Sequence, residues 1–596
     1  MKQLAYLNKY FWRYRRHFLL GFLFVSLSNY FRVLQPQTIR EALDLVVENL
    51  YLYRMYQGTE LEGDFFGMLS LQLFYFGFLV LVLAVFMGLF MYWMRQTIIV
   101  MSRLMEYDMR KEVFAHYEKL DLAFYKRNNT GDLMSRITED INKVRMYLGP
   151  AVLYGVNLIS LFILVIYSML MVSAELTMYC LIPLPFLSIS IYYVSTLINT
   201  QSEKIQQQLA TLNSTAQEVY SGIRVVKSYV QEAATVKHFA AQSDRFKQQS
   251  LRLAVTNSLF FPLMVLLTGM STLLVIYFGG LQVVKGTITP GNIAEFVIYV
   301  NMLTWPVTAI GWIASIVQQA AASQKRINEF LKTQPTIVNL GSNTQDLSGE
   351  IEFKNVTFTY PDTGITALKE VSFKLEPGQK MAIIGRTGSG KTTIADLLLR
   401  MYDVTEGQIL LDNQALSTHD LAKLRKRIGY VPQDVFLFSD TISANIVFGR
   451  REAPQAEIED FARYASVYND IMDLPKGFDT LVGERGVTLS GGQKQRVSIA
   501  RALIKKPDIV ILDDCLSAVD TNTEKQVLEY FSGALAQKTA IIITHRIYSL
   551  LQFDKIIVMD GGRVVEAGTH EELLANKGYY ADLFEKQTEE VPTASL

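Results

Sequence analysis

Six apolar stretches dominate the first half of this chain: Phe18 to Val33, Met68 to Met94, Ala151 to Ser173, Leu176 to Ile198, Leu259 to Val284 and Ile293 to Ile316. Each runs for roughly 20 residues, the length a helix needs to cross the hydrocarbon of a bilayer. Composition agrees, since 50% of the residues are hydrophobic and only 19% are charged, the balance of a membrane protein. The expectation for residues 1–330 is therefore an α-helical membrane domain with six crossings. At 596 residues the chain has room for a second domain behind it.

Basic residues orient the crossings. Lys2, Lys9, Arg13, Arg15 and Arg16 precede the first stretch. Arg95, Arg103, Arg110, Lys111, Lys119, Lys126 and Arg127 follow the second, and Lys204, Arg224, Lys227 and Lys237 follow the fourth. The opposite connections are poor in Lys and Arg, and Glu41 to Asp64 is acidic, so both termini are expected in the cytoplasm. No small-residue cleavage site follows the first apolar run, which argues against a removed signal peptide.

The two basic connections carry apolar residues three and four apart, from Ser102 to Phe114 and from Gln207 to Tyr220. Membrane helices are thus expected to continue well beyond the bilayer. Leu331 to Glu350, polar and holding Pro335, Gly341 and Ser342, reads as a linker. Residues 351–586 are expected to form the second domain, and 587–596 a disordered tail. Cys180 and Cys515 suggest no disulfide framework. With 57 basic and 57 acidic residues, and no basic aromatic surface, nucleic acid is not an expected partner.

Chemistry begins at Gly385-Arg386-Thr387-Gly388-Ser389-Gly390-Lys391-Thr392, which fits a phosphate-binding loop. Glycines let backbone N–H groups face phosphate oxygens, Lys391 supplies a point charge, and the Thr392 hydroxyl can ligate Mg²⁺ at a helix start. The apolar run Met381 to Gly385 reads as the strand entering the loop. Thr393 to Leu399 reads as the helix leaving it, so an α/β phosphate-loop ATPase is expected.

Further on, Ser490-Gly491-Gly492-Gln493 opens a helical stretch and makes a second anion-attracting end. Gln433 follows Val431-Pro432, Asp513 ends the run Ile509 to Leu512, and His545 follows Ile543-Thr544. Together with the phosphate loop, and in this order, these residues resemble the ATP-binding-cassette (ABC) family. The resemblance implies ATP and Mg²⁺ as cofactors. It makes Tyr360 the aromatic stacked on adenine, with Gly385, Arg386, Thr387, Gly388, Ser389, Gly390, Lys391, Thr392 and Thr393 around the phosphates. It makes Thr392, Gln433 and Asp513 the metal-side residues, Asp520 part of a loop crossing to the opposite subunit, and His545 the γ-phosphate switch. It also implies that two cassettes face head to tail, with Ser490, Gly491, Gly492 and Gln493 completing the partner chain's site. Phe124 to Arg136 and Ser221 to Lys227 resemble the coupling helices of ABC exporters, and Phe438 to Ile442 the surface that receives them.

One position departs from the family pattern. Asp514 stands where a hydrolytic cassette carries Glu, one methylene longer, so Asp514, His545 and Gln433 form a catalytic set with a shortened carboxylate. The resemblance then implies a half-size exporter, fully able to hold ATP and slow to cleave it. The favoured partner is a second, different half-transporter that supplies the missing Glu; a homodimer with slow turnover and a nucleotide-gated or regulatory member of the same fold remain open. The expected cargo is a small amphipathic or apolar solute, such as a drug, lipid or peptide. Arg32, Asn157, Glu295 and Asn301 are the polar residues of the spans that raise a functional question.

Overall fold

The computed structural model describes residues 2–339, 341, 347–450, 452–483, 486, 489–515, 527, 538–545 and 553–589. The chain divides into two compact units, one formed by residues 1–118 and 131–333 and the other by residues 119–130 and 334–596.

The first unit is helical. Among the described residues, five helices are long and apolar enough to cross a membrane: Arg15–Tyr56, Glu62–Tyr117, Thr130–Val172, Glu232–Val284 and Pro290–Lys332. Glu62–Tyr117 has 56 residues, about 84 Å at 1.5 Å per residue, well beyond a hydrocarbon core of about 30 Å. Its two parts are built differently. Leu71, Phe74, Phe78 and Val85 are exposed, the habit of a lipid-facing surface, whereas Met101, Met105, Met109 and Val113 recur every fourth residue and are buried. The long extensions expected from periodicity are therefore present.

The fourth apolar stretch departs from expectation. Leu176 to Ile198 is apolar enough in sequence for one crossing, but the chain forms a short helix Ala174–Leu181 and then a second helix, Pro183–Ser221. Pro183 has no N–H to continue the preceding helix, so the apolar run is divided at Ile182. The second helix turns polar from Gln201 onward, and it falls short of the apolar character of the other five.

Buried polar groups tie the first unit together. Glu295 is fully buried; its Oε2 accepts from Arg40 Nη1 at 3.1 Å and from Asn292 Nδ2 at 3.4 Å. Tyr299, buried one turn on, donates to Val33 O at 3.2 Å and accepts from Gln37 at 3.3 Å. Asn157 lends its backbone carbonyl to Asn29, and Asn301 bonds only its own helix among the contacts of described residues.

The second unit holds two sheets. The antiparallel one has the order β2-β1-β4-β5, where β1 is Ile351–Thr359, β2 Thr366–Leu375, β4 Glu406–Leu411 and β5 Gln414–Ala415. The other contains β3 (Lys380–Gly385), β6 (Ile428–Val431), β7 (Ile509–Asp513), β8 (Thr539–Ile543), β9 (Lys555–Asp560) and β10 (Arg563–Gly568) in the order β10-β9-β3-β8-β7-β6. All its pairings are parallel except β9 with β10. Every residue of β7 and β8 is buried, as continuous apolar strands of a parallel sheet covered on both faces must be. Helix Leu122–Arg127 belongs to this unit, with Ala123 in its core. Of the expected tail, residues 587–589 continue helix Tyr579–Glu589, and 590–596 lie outside the described residues.

Removing one partner of a buried ion pair leaves the other charge uncompensated. Arg40→Met is expected to destabilise the helical unit on the order of 3 kcal/mol, and Glu295→Gln added to it to recover most of that loss. Thermal unfolding in detergent reads both; simple additivity of the two substitutions contradicts the pairing.

Candidate functional site

Parallel pairing decides where the site forms. In register, Ile383 of β3 lies beside Ile543 of β8, Ile543 beside Asp513 of β7, and Leu512 beside Val431 of β6. All four strands therefore end on one edge, the carboxyl edge at which open α/β sheets bind ligands. The phosphate loop leaves β3 there, Asp514 follows β7, His545 lies two residues past β8, and Gln433 two past β6.

A cleft of about 590 Å³ opens at that edge. Of the residues singled out in the sequence, it is lined by Tyr360, Thr387, Gly388, Gly390, Lys391, Thr392, Thr393, Gln433, Asp513, Asp514 and His545. Gly385, Arg386 and Ser389 shape the loop from outside the lining. Gly385 and Gly390 have φ of +151° and +96°, and a Cβ on them would meet Met559 O at 2.1 Å and Ala367 O at 2.4 Å. Only glycine satisfies both the dihedral and the close approach. Lys391 is buried and donates to the loop's own carbonyls, Gly385 O at 2.9 Å and Arg386 O at 2.8 Å.

Charge is concentrated on the sheet edge. Burial lowers the Lys391 pKa, with Asp513 and then Asp514 drawing it back up. Burial raises that of Asp513, opposed by the Thr392 hydroxyl and by Lys391. Asp513 is 1% exposed, and among the described residues its Oδ2 has no hydrogen-bond partner; the buried Ser389 hydroxyl has none either. Burial, then the Lys391 charge, lowers His545 below its ordinary 6.5, so its imidazole is neutral at pH 7. Tyr360 shares a hydrogen bond of 2.9 Å with Thr393, and Tyr402 meets its ring edge to face at 5.5 Å.

Asp514 has a left-handed backbone, φ +44°, a conformation that short polar side chains tolerate better than longer ones. Its N–H donates to Ile543 O at 2.8 Å, and its Oδ2 accepts from Gln433 Nε2 at 3.4 Å. Gln587 Nε2 donates to His545 O at 2.7 Å, so a residue assigned to the tail reaches the site.

Ser490 caps helix Gly491–Leu503 through a reciprocal pair, with Gln493 N–H donating to its Oγ at 3.2 Å and its own N–H to Gln493 Oε1 at 3.0 Å. Gln493 and Arg496 both bond Asp470, which fixes the helix start. Ser490, Gly491, Gly492 and Gln493 are not part of the cleft lining. Asp520 lies outside the described residues. Sequence reasoning missed Lys126, Asp362, Ala367, Gly561 and Gly562 in the lining; the Gly561-Gly562 turn was visible as a dipeptide, but nothing local tied it to this edge.

Fold and site define a helical membrane domain joined to a phosphate-loop nucleotide domain. A family model for the ABC transporter transmembrane region matches residues 18–307, and one for the ABC transporter proper matches residues 368–517. The chain is 39% identical over 520 residues to a probable multidrug resistance ABC transporter ATP-binding/permease protein, YheI, of Bacillus subtilis, covering 86% of this chain and 88% of that one. It is 34% identical over 489 residues to an ATP-dependent lipid A-core flippase of Syntrophus aciditrophicus, covering 81% and 80%. A solved structure of a bacterial Atm1-family ABC exporter with ATP bound aligns over 97% of this chain and 99% of that chain, with a TM-score of 0.77 at 26% identity. The chain belongs to the ABC transporter family, as an exporter-type half-transporter whose ATPase activity is coupled to transport.

Burial pushes the Asp396 carboxyl, on the helix leaving the phosphate loop, from 3.8 up to about 6, with Lys126 opposing. A carboxyl so raised favours the folded state fully below its ordinary value, and that contribution is lost as pH rises through about 6. Asp396→Asn, uncharged throughout, is therefore expected to raise the unfolding temperature at pH 7.5, to raise it less at pH 5, and to bring little change below its ordinary value of 3.8. A difference independent of pH contradicts this.

Proposed function

We propose that the chain is one half of an exporter that binds Mg-ATP in this cleft, works as a dimer, and moves an amphipathic or apolar solute out of the cell by alternating access. Relatives named for multidrug resistance and for lipid A-core flipping favour that class of cargo. In this reading residues 1–330 are the membrane domain, 331–350 the linker and 351–586 the ATPase, with both termini and the ATPase cytoplasmic. The divided Leu176 to Ile198 stretch supplies the sixth crossing as helix, break and helix.

Tyr360 stacks on adenine. The loop from Gly385 to Thr393 holds the phosphates through backbone N–H groups, with Lys391 as the charge and the free Ser389 hydroxyl as a further donor. The free Asp513 Oδ2, Thr392 and Gln433 suit Mg²⁺, which keeps waters and phosphate oxygens as its other ligands and would neutralise phosphate charge when bound. Neutral His545 contacts the γ-phosphate as a hydrogen-bonding group. Ser490 to Gln493, remote from the chain's own cleft, close over the partner's ATP, and Asp520 stands at the crossing.

The observation that carries the degenerate-site reading is Asp514, held by Gln433 at the position of the water-orienting carboxylate. Relative to Glu its carboxylate is withdrawn by about 1.5 Å, and a misplacement of about 1 Å costs on the order of 100-fold. Such a site holds ATP and hydrolyses it slowly, which favours a heterodimer in which the other chain brings Glu and borrows this chain's Ser490 helix. Purified alone, the protein is expected to bind Mg-ATP, and Asp514→Glu to speed its hydrolysis at least about tenfold. Unchanged turnover after that substitution contradicts a degenerate site.

A further inference from the structure

One cation in the cleft comes from outside the cassette sequence. Lys126 sits in the last turn of Leu122–Arg127, in the connection between helices Glu62–Tyr117 and Thr130–Val172. That short helix is fastened on several sides. Asp121 caps it by accepting from Phe124 N at 3.1 Å and also bonds Thr336, Ala123 is buried in the core of the ATPase unit, and Arg127 donates to Pro361 O at 3.0 Å. Lys126 Nζ then stands 5.1 Å from the ring centroid of Tyr360 and 5.6 Å from that of Tyr402, in the cleft shared with the phosphate loop.

We propose that Lys126 is a nucleotide-contacting residue, which exchanges its contact with the Tyr360 and Tyr402 rings for an ion pair with the polyphosphate when ATP binds. The ammonium occupies aromatic surface that a stacked adenine needs, so base and lysine compete for the same ring. A ring offers the cation only a quadrupole, even where, as here, Tyr360 is half-buried and Tyr402 buried, whereas a polyphosphate offers several full negative charges in the same cleft. The lysine's four-carbon stem lets it move without disturbing the backbone that Asp121, Ala123 and Arg127 hold. Asp396 is the acidic group that feels Lys126 from the phosphate-loop helix, and Asp362 also lines the cleft. Nucleotide occupancy would thus be registered directly by the connection between two membrane helices. The inference rests on the reading of this cleft as the ATP site.

The test is the affinity of the full-length transporter in detergent for ATP, at low and high salt, in wild type, Lys126→Met and Lys126→Arg. The methionine keeps the stem without the charge and is expected to weaken binding about fivefold at low salt and to flatten its salt dependence. The arginine is expected to stay within about twofold of wild type, since it restores the charge. Wild-type ATP binding with Lys126→Met unchanged overturns the inference and leaves the site reading intact. A loss equal at both salt concentrations and not rescued by Arg overturns it too, as the mark of a packing role. Absence of ATP binding in the wild type overturns the site reading itself.

Discussion

The register of one parallel sheet is the constraint on which the rest depends. β3, β6, β7 and β8 run in the same direction and lie side by side, so residues far apart in sequence end within one cleft. Nothing in the phosphate loop alone brings Asp513, Gln433 or His545 to it; hydrogen-bonded pairing of buried strands does. Because the strands are buried and apolar up to their carboxyl ends, the polar residues at and just beyond those ends emerge together at the edge where water and ligand are met.

What could be read from the sequence was what is local. The phosphate loop and the Ser490 cap are contiguous, and their roles follow from backbone geometry that short spacing dictates: glycines where a Cβ would strike Met559 O or Ala367 O, and a reciprocal pair between Ser490 and Gln493. The long helical extensions were equally legible, because Met101, Met105, Met109 and Val113 repeat with the helical period. Tertiary placements were not. Lys126 looked like one more basic residue of a cytoplasmic connection, and its position over Tyr360 depends on Ala123 entering a core assembled from strands more than 200 residues away. Gln587 looked like tail, yet its amide reaches the His545 carbonyl. Hydropathy averaged across Pro183, the residue that divides the fourth apolar stretch.

Electrostatics gives the site its character. A buried lysine and a buried aspartate are each pushed toward neutrality by burial and each drawn back by the other, and the remaining valence of Asp513 faces no partner among the described residues. Such a pair is costly to hold and agrees with the proposed Mg-ATP as the ligand of this cleft. Asp514 adds a second carboxylate in a left-handed backbone, a conformation well suited to a short side chain. The proposed degenerate site, and with it the proposed pairing of two unlike chains, rests on that single shortening relative to Glu.

The central claim is that nucleotide is cleaved only between two such polypeptides, with Ser490 acting on the partner's phosphates. Steady-state ATP hydrolysis of the assembled transporter carrying Ser490→Arg tests it most directly. The account predicts a fall of at least about tenfold, with ATP still bound at the phosphate loop of the altered chain. Undiminished hydrolysis would contradict it.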